Sequence, residues 1–426
     1  VNTANNYTGT GNNDDYFGNP NTWDVTGPEG NRITDMSELF QNNSHTTHPD
    51  ISNWDVSNVE NMSSMFNNAV SFNQDIGNWK TENVTDMSYM FYKCHAFNQN
   101  ISTKVVNQGT PNEYIAWNTE NVTDMSNMLN MDDPYNASGV WNNGEATGEH
   151  TSPLNWNTSK VTDMSFTFRE CRRFNQNCST QEVTLEITNP ITYIAFNTSE
   201  VTTMEKTFAY CESFNNGDDY DKSTKPLYWN TSKVKNMNYM FGILNKLVNP
   251  GYYNQPMNKE KVTIGTRNPI TYTAWDVSSV KDMGYMFSRA AAFNQPIGNW
   301  NVSSVTTMNV MFYDAAAFNQ DINTKTVSAE DSPTGEAYTA WDVSQVTTMS
   351  FMFRGATAFN QPIGNWNVSQ VTNMYAMFYY AVSFNQPIGN WNVSSVTNMN
   401  WMFYGAAAFN QDINTKTVTA EDSPTG

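Results

Sequence analysis

The chain has 426 residues, a formal net charge of −19 and only 15% charged side chains. That balance argues against nucleic acid, whose phosphates would be repelled, and against electrostatic attachment to anionic lipid. No stretch approaches the roughly 20 apolar residues a membrane-spanning helix needs, and four cysteines are too few for a disulfide scaffold at this length.

Residues 1–22, rich in Asn, Gly and Asp, read as an N-terminal lead or cap. Val1 is not an initiator Met, so a processed or partial segment is expected. From Trp23 a single frame recurs, at Trp54, Trp79, Trp117, Trp156, Phe196, Trp229, Trp275, Trp300, Trp341, Trp366 and Trp391. Trp366 is followed by Val368, Val371, Met374, Met377, Phe378, Phe384 and Ile388 before Trp391 restarts the unit. A fixed period of this size is the mark of a stacked repeat. One unit cannot bury its apolar face alone, so neighbours must share a core. Residues 23–426 are therefore read as one solenoid of about twelve repeats.

Two periodicities alternate inside the unit. Val371, Met374, Met377 and Phe378 predict a short helical or 3₁₀ segment with one buried face. Trp366 and Val368, and then Phe384 to Ile388, predict short extended segments, with Pro387 kept out of a central ladder. Strands of successive coils would pair in parallel about 4.8 Å apart, giving a rod of roughly 55–60 Å.

Along the chain the units depart from this plan in a few places. The first carries Gly27-Pro28-Glu29-Gly30 and lacks Phe-Asn-Gln where His45 to His48 lie. Four insertions end in Tyr114-Ile115-Ala116-Trp117, Tyr193-Ile194-Ala195-Phe196, Tyr272-Thr273-Ala274-Trp275 and Tyr338-Thr339-Ala340-Trp341. Each joins two β-prone arms around a turn such as Ser332-Pro333-Thr334-Gly335, which predicts hairpins projecting from one side as fins. Residues 130–153 replace Phe-Asn-Gln with Met131-Asp132-Asp133-Pro134-Tyr135 and a polar stretch containing Trp141. Residues 242–252 lengthen another unit. Both are tolerated insertions or binding loops. Ile413 to Gly426 copies Ile322 to Gly335 with one change and stops inside its hairpin, so further coils are expected beyond Gly426.

The candidate site residues each have a bland reading. The Asn of Phe-Asn-Gln (Asn73, Asn98, Asn175, Asn215 and onward) reads as a buried column that satisfies backbone groups, in preference to a polar binding stripe. The Met register from Met62 to Met399 reads as core, not as a soft-metal site. Cys171 and Cys211 share a register in adjacent coils, which leaves both a disulfide and two buried thiols open. Asp218, Asp219 and Asp221 form the best local calcium candidate but lack the twelve-residue loop pattern. Asn-x-Ser/Thr sequons at Asn6, Asn136, Asn157, Asn197, Asn230, Asn301, Asn367 and Asn392 are candidate glycosylation sites. Asp55, Asp276 and Asp342 hold the same place in other units, which favours a plain turn role. No catalytic or cofactor-binding constellation is found, so no cofactor is called and an enzyme is not expected.

Val371-Thr372-Asn373-Met374, Met377-Phe378, Phe384-Asn385-Gln386 and Trp391-Asn392-Val393-Ser394 resemble the BspA-like leucine-rich repeat surface proteins, the mycoplasma-lipoprotein type labelled DUF285. The resemblance runs from Trp23 onward and implies a right-handed, leucine-rich-repeat-like solenoid at a cell surface, without catalytic residues. The function expected is a structural or adhesive extracellular rod. It would bind surface or matrix proteins or glycans through many weak contacts, or assemble end to end into a filament. The alternative is a recognition module that binds a glycan or protein through the hairpins and the 130–153 loop.

Overall fold

Alternate backbone amides in each repeat find partners in different places, and this decides the local structure. The computed structural model describes residues 33–46, 48, 50–132, 140–146, 148–243 and 250–414. The lead at 1–22, the start of the frame at Trp23, Asn6, Asn136 and the copied segment 415–426 lie outside the described residues. The chain divides into two compact units, Val1–Val201 with Thr207–Asp218 and Ile264–Pro269, and Thr202–Lys206 with Asp219–Thr263 and Ile270–Gly426.

In the second unit the amides of Met374, Ala376, Phe378 and Tyr380 donate to Asn398, Asn400, Met402 and Tyr404 of the following repeat, at 2.8–2.9 Å. Between them, Met377, Tyr379 and Ala381 donate locally, to Met374, Ala376 and Phe378. The first unit repeats the pattern. Met62, Ser64, Phe66 and Asn68 donate to Asp86, Ser88, Met90 and Tyr92, while Met65 and Asn67 donate three residues back. The expected helical segment is therefore absent: no helix occurs among the described residues. The reason lies at two left-handed positions per repeat. Glu38, Ser64, Tyr89, Asn127 and Phe166 in the first unit have φ between 55° and 59°. Lys206, Tyr239, Tyr285, Val310, Phe351, Ala376 and Trp401 in the second lie between 52° and 61°. A second such residue follows four positions later, as at Asn42, Asn68, Lys93 and Tyr380. A left-handed residue cannot continue a right-handed helix, and a bulky one costs about 1–3 kcal/mol. At each of these the residue's own amide reaches the neighbouring repeat, as at Ser64, Asn68, Ala376 and Tyr380, while the amide just after it donates three residues back.

The expected parallel strands shrink to single bridges. In the first unit they link Asp35, Asn61, Asp86, Asp124 and Asp163 in succession. In the second they link Thr203, Asn236, Asp282, Thr307, Thr348, Asn373 and Asn398. They fall just before the first Met, not at the Trp-like position, whose amide closes a local turn (Trp366 to Ile363) or, after a hairpin, donates to the Trp-like residue one repeat earlier (Trp117 to Trp79, Trp341 to Trp300).

The aromatic residues carry the core. In the second unit Phe241, Phe287, Phe312, Phe353, Phe378 and Phe403 stack at 5.6–6.0 Å between centroids. A parallel column runs through Phe293, Phe318, Phe359, Phe384 and Phe409 at 5.9–6.0 Å. The two columns touch within each repeat at about the same spacing, 4.0 Å for Phe353 and Phe359. The first unit has the same arrangement in Phe40, Phe66 and Phe91, with Phe72 and Phe97 alongside. Most of the indoles are tied as well as buried: Trp366 Nε1 donates to the Ile322 carbonyl at 2.9 Å, the equivalent of Ile363 one repeat earlier. Trp79, Trp117, Trp156, Trp300, Trp341 and Trp391 do the same. The first Met register is fully buried from Met62 to Met374, and only Met399 is exposed.

Strands of more than one residue occur only in four hairpins among the described residues. They are β1 (Lys104–Val106) with β2 (Tyr114–Ala116), and β3 (Gln181–Leu185) with β4 (Ile191–Ala195). The others are β5 (Glu260–Ile264) with β6 (Ile270–Ala274), and β7 (Lys325–Val327) with β8 (Tyr338–Ala340). These are the four insertions read from sequence. All are anchored alike. The tyrosine three residues before the Trp-like position donates its hydroxyl to the residue preceding the Trp one repeat earlier. The pairs are Tyr114 to Asn78, Tyr193 to Asn155, Tyr272 to Tyr228 and Tyr338 to Asn299. The return lands on an aromatic residue in the left-handed region: Trp117, Phe196, Trp275 or Trp341.

Candidate functional site

Because β1–β2 and β3–β4 leave equivalent points of their repeats, they stand side by side in the first unit. Their tips are pinned together. Glu113 Oε1 accepts the Thr188 amide at 2.6 Å and its hydroxyl at 2.9 Å, and Gln108 donates to the Glu186 carbonyl at 2.7 Å. Glu113 Oε2 also takes the Gly109 amide at 2.7 Å. These amides, Gly109 first and then Thr188, hold the Glu113 carboxyl below its usual range. Between hairpins and repeats lies a cleft of about 320 Å³. Leu185, Ile187 and Ile191 line it with the ring of Tyr193, and Lys80, Glu82 and Glu120 bring charge. The Tyr114 and Tyr193 hydroxyls are spent on the anchoring carbonyls, so the rings face the cleft as apolar wall. Lys80 pairs with Glu82 at 2.9 Å. A volume in this range, with the apolar side chains set among Lys80, Glu82, Glu113, Asn118, Glu120 and Asn157, suits a small polar ligand or a peptide side chain.

The sequence of the repeat, its Trp register and its Phe-Asn-Gln corner now meet their structural counterparts. The family described as a mycoplasma protein of unknown function, DUF285, matches residues 12–115, 111–189, 154–264, 266–334 and 328–423. The chain belongs to the DUF285 family. No curated protein and no solved structure matches it.

Within the DUF285 repeats the asparagine column is real but mostly half-exposed, not buried. Asn385 N donates to Asn360 Oδ1 at 2.8 Å, Asn360 N to Asn319 Oδ1 at 2.9 Å, and the following glutamine locks the same oxygen (Gln386 Nε2, 3.0 Å). In the first unit it runs Asn73, Asn98, Asn142, Asn175, Asn215, and only its last three members are buried. The presence of Asn142 corrects the reading of 130–153. Trp141 is fully buried, 4.9 Å from Phe174 and 6.0 Å from Phe168, and occupies the phenylalanine place. Trp141-Asn142-Asn143-Gly144 is thus the counterpart of Phe214-Asn215-Asn216-Gly217. Asn143 and Asn216 each accept the amide of the Ile-like residue one repeat earlier, Ile101 and Cys178. Gly144 and Gly217 both have positive φ. The described part of this segment is core and corner, held shut by Glu145, which accepts from Thr151 and Ser152. Asp133, Pro134 and Tyr135 lie outside the described residues. Of 242–252, residues 244–249 do too, and Tyr253 behind them fills the phenylalanine place, 3.9 Å from Phe241.

The disulfide candidate is not formed: Cys171 and Cys211 are free and buried. Each thiol instead approaches a carbonyl one repeat earlier, Leu129 at 3.1 Å and Phe168 at 2.8 Å, and burial pushes both thiols up. Asp218, Asp219 and Asp221 are not gathered into a metal cluster. No group of three or more His, Cys, Asp or Glu that could hold a metal lies among the described residues. Asp219 pairs with Lys222. The sequon asparagines after the Trp-like residue each close a small turn. Asn157, Asn197, Asn230, Asn301, Asn367 and Asn392 accept the amide two residues on at 3.1–3.2 Å. Asp55, Asp276 and Asp342 do the same at 3.0–3.2 Å, which is why Asn and Asp interchange there.

One charged cluster was invisible in the sequence because its members lie in three repeats. Asp132 accepts Tyr92 Oη at 2.6 Å, Arg169 Nη1 at 2.5 Å and Lys93 Nζ at 3.0 Å. Partial burial opposes ionisation of Asp132, but the hydrogen bonds from Tyr92, Arg169 and Lys93 outweigh it and hold the carboxyl well below the usual range. A folded value below the unfolded one means that this cluster stabilises above about pH 4. The contribution is lost as pH falls through the folded value. Melting temperatures of the protein and of Asp132→Asn should therefore differ at neutral pH and converge in strong acid. An unchanged gap at pH 2 would contradict the assignment.

Proposed function

We propose that this DUF285 chain is a non-catalytic extracellular surface protein with a structural or adhesive role, exerted by many similar faces and not by one strong site. The observation that carries this reading is the recurrence itself. The same left-handed backbone positions recur in successive repeats, fixed by the same pair of inter-repeat hydrogen bonds, so each repeat offers a side chain at the same place, though its chemistry varies from Glu38 and Ser64 to Lys206 and Ala376. Weak contacts repeated on a fixed scaffold multiply into avidity. The finer architecture proposed with it is a right-handed, leucine-rich-repeat-like coil within each unit, its rungs joined by the single parallel bridges. Surface or matrix proteins, glycans or further copies of the chain are the partners this predicts, and end-to-end assembly is a variant of the same role.

A second reading, recognition of a defined ligand, is favoured by the cleft between the first two hairpins. Adhesion to immobilised matrix glycoproteins and to whole cells separates the two. In-frame removal of residues 366–390, and then of 341–390, should weaken adhesion stepwise, while Ile187→Ala with Ile191→Ala leaves it within about two-fold. Abolition by the paired alanine change would overturn the multivalent reading in favour of the cleft.

A further inference from the structure

The cleft between the first two hairpins has two chemically different sides. The apolar side is Leu185, Ile187 and Ile191 with the rings of Tyr114 and Tyr193. Leu185 is buried, but Ile191 is 42% exposed, so this wall opens to solvent at the start of β4. The charged side is Lys80, Glu82, Glu113 and Glu120. Lys80 is matched in place by Glu82, at 2.9 Å. Glu113 accepts only from neutral donors, the Thr188 amide and hydroxyl and the Gly109 amide. Those bonds keep it ionised without cancelling its charge. Glu120 is exposed, its own amide tied to the Asn118 side chain. Among the described residues lining the cleft, Glu113 and Glu120 thus have no cation to balance them.

We infer that this cleft seats the arginine side chain of an extended peptide. The inference rests on the second reading above, in which the cleft recognises a ligand, and names that ligand's class. Charge complementarity selects it. An anion would meet uncompensated carboxylates, and a neutral apolar group would desolvate them without replacing their lost water. A bare metal ion would engage the charged side alone and leave the isoleucine wall wet. Arginine meets both sides at once: its methylene stem lies along Ile187 and Ile191, and its guanidinium reaches Glu120. The flat guanidinium also stacks on aromatic faces such as those of Tyr114 and Tyr193, which a lysine ammonium, a compact point charge, does less well. The volume of about 320 Å³ lies at the low end for small-ligand sites, room for one long side chain with its flanking backbone. A folded partner would therefore have to present the arginine on a projecting segment.

The test is calorimetry on the whole chain with the capped pentapeptide acetyl-Gly-Ser-X-Ser-Gly-amide, where X is arginine, lysine, citrulline or glutamate. The arginine peptide should bind saturably, the lysine peptide more weakly, and the citrulline peptide, of the same shape but uncharged, ten-fold or more weakly; the glutamate peptide should not bind. Glu120→Gln and Ile191→Ala should each weaken the arginine peptide three-fold or more with unaltered melting temperature. Glu330→Gln removes an exposed carboxylate of the β7–β8 hairpin in the second unit and should leave binding intact, which separates the cleft from the general pull of a chain of net charge −19. Binding of none of the four peptides would overturn the proposal. So would arginine affinity that Glu120→Gln and Ile191→Ala leave unchanged, or that Glu330→Gln lowers as much as Glu120→Gln does. Citrulline or glutamate binding as tight as arginine, and lost in Ile191→Ala, would overturn the arginine assignment while keeping the cleft as a recognition site.

Discussion

Trp366→Ala should be among the most damaging single substitutions in the second unit. The side chain is fully buried, 6.1 Å from Trp341 and 6.4 Å from Trp391, with both ring pairs near parallel. Truncation removes the apolar contact and leaves a cavity, a change that costs about 3–5 kcal/mol for large aromatic residues. It also strands the Ile322 carbonyl that accepts the indole N–H, worth roughly a further 1–3 kcal/mol if no water reaches it. Urea denaturation followed by circular dichroism should show the midpoint falling sharply with little change in slope. Trp366→Phe should cost less than half as much, because Phe196 already fills this register in the first unit, buried and 6.3 Å from Trp156. A loss under about 1 kcal/mol for Trp366→Ala would mean that the indoles do not carry the core.

Asn142→Leu is the second large effect, for the opposite physical reason. The side chain is fully buried, and nearly all its hydrogen-bonding capacity is in use. Oδ1 accepts the Asn175 amide at 3.0 Å and Gln176 Nε2 at 3.1 Å. Nδ2 donates to the carbonyls of Ala146 at 2.9 Å and Glu149 at 2.8 Å. Leucine has nearly the same size and satisfies none of them. Each buried group left unpaired costs about 1–3 kcal/mol, so a total of at least about 3 kcal/mol is expected. The same change at Asn385, in the half-exposed part of the column, should cost much less because water replaces the lost partners. Equal effects at the two positions would show that burial is not what makes the column matter.

The register of these residues was readable before any coordinates. The Trp frame, the methionine core, the Phe-Asn-Gln corner and all four hairpins follow from spacing and turn chemistry, and the structure places each where its period puts it. The helical segment was misread because apolar residues three, six and seven apart suit a short helix and a pair of left-handed turns equally well. The residues that decide between them, such as Glu38, Tyr89, Phe166, Lys206 and Trp401, are not the Gly or Asn that normally mark positive φ. Their conformation is imposed by the neighbouring repeat, which no local pattern records. Trp141-Asn142-Asn143-Gly144 escaped notice for a simpler reason. It copies Phe214-Asn215-Asn216-Gly217, not the commoner Phe-Asn-Gln, and a search for the common form passes over it. The hairpin cleft and the Asp132 cluster join residues from several repeats, so only the stacking reveals them.

Residue-resolved amide hydrogen exchange across 372–381 tests the inter-repeat pairing most directly. Met374, Ala376, Phe378 and Tyr380 should exchange slowly, because each donates to the repeat that follows, while the hairpin-tip amides at Gln108 and Ser332, which have no such partner in the bonding pattern above, exchange fast. Rates at those four amides as high as at the hairpin tips would contradict the pairing, and with it the account of how one DUF285 repeat builds on the next.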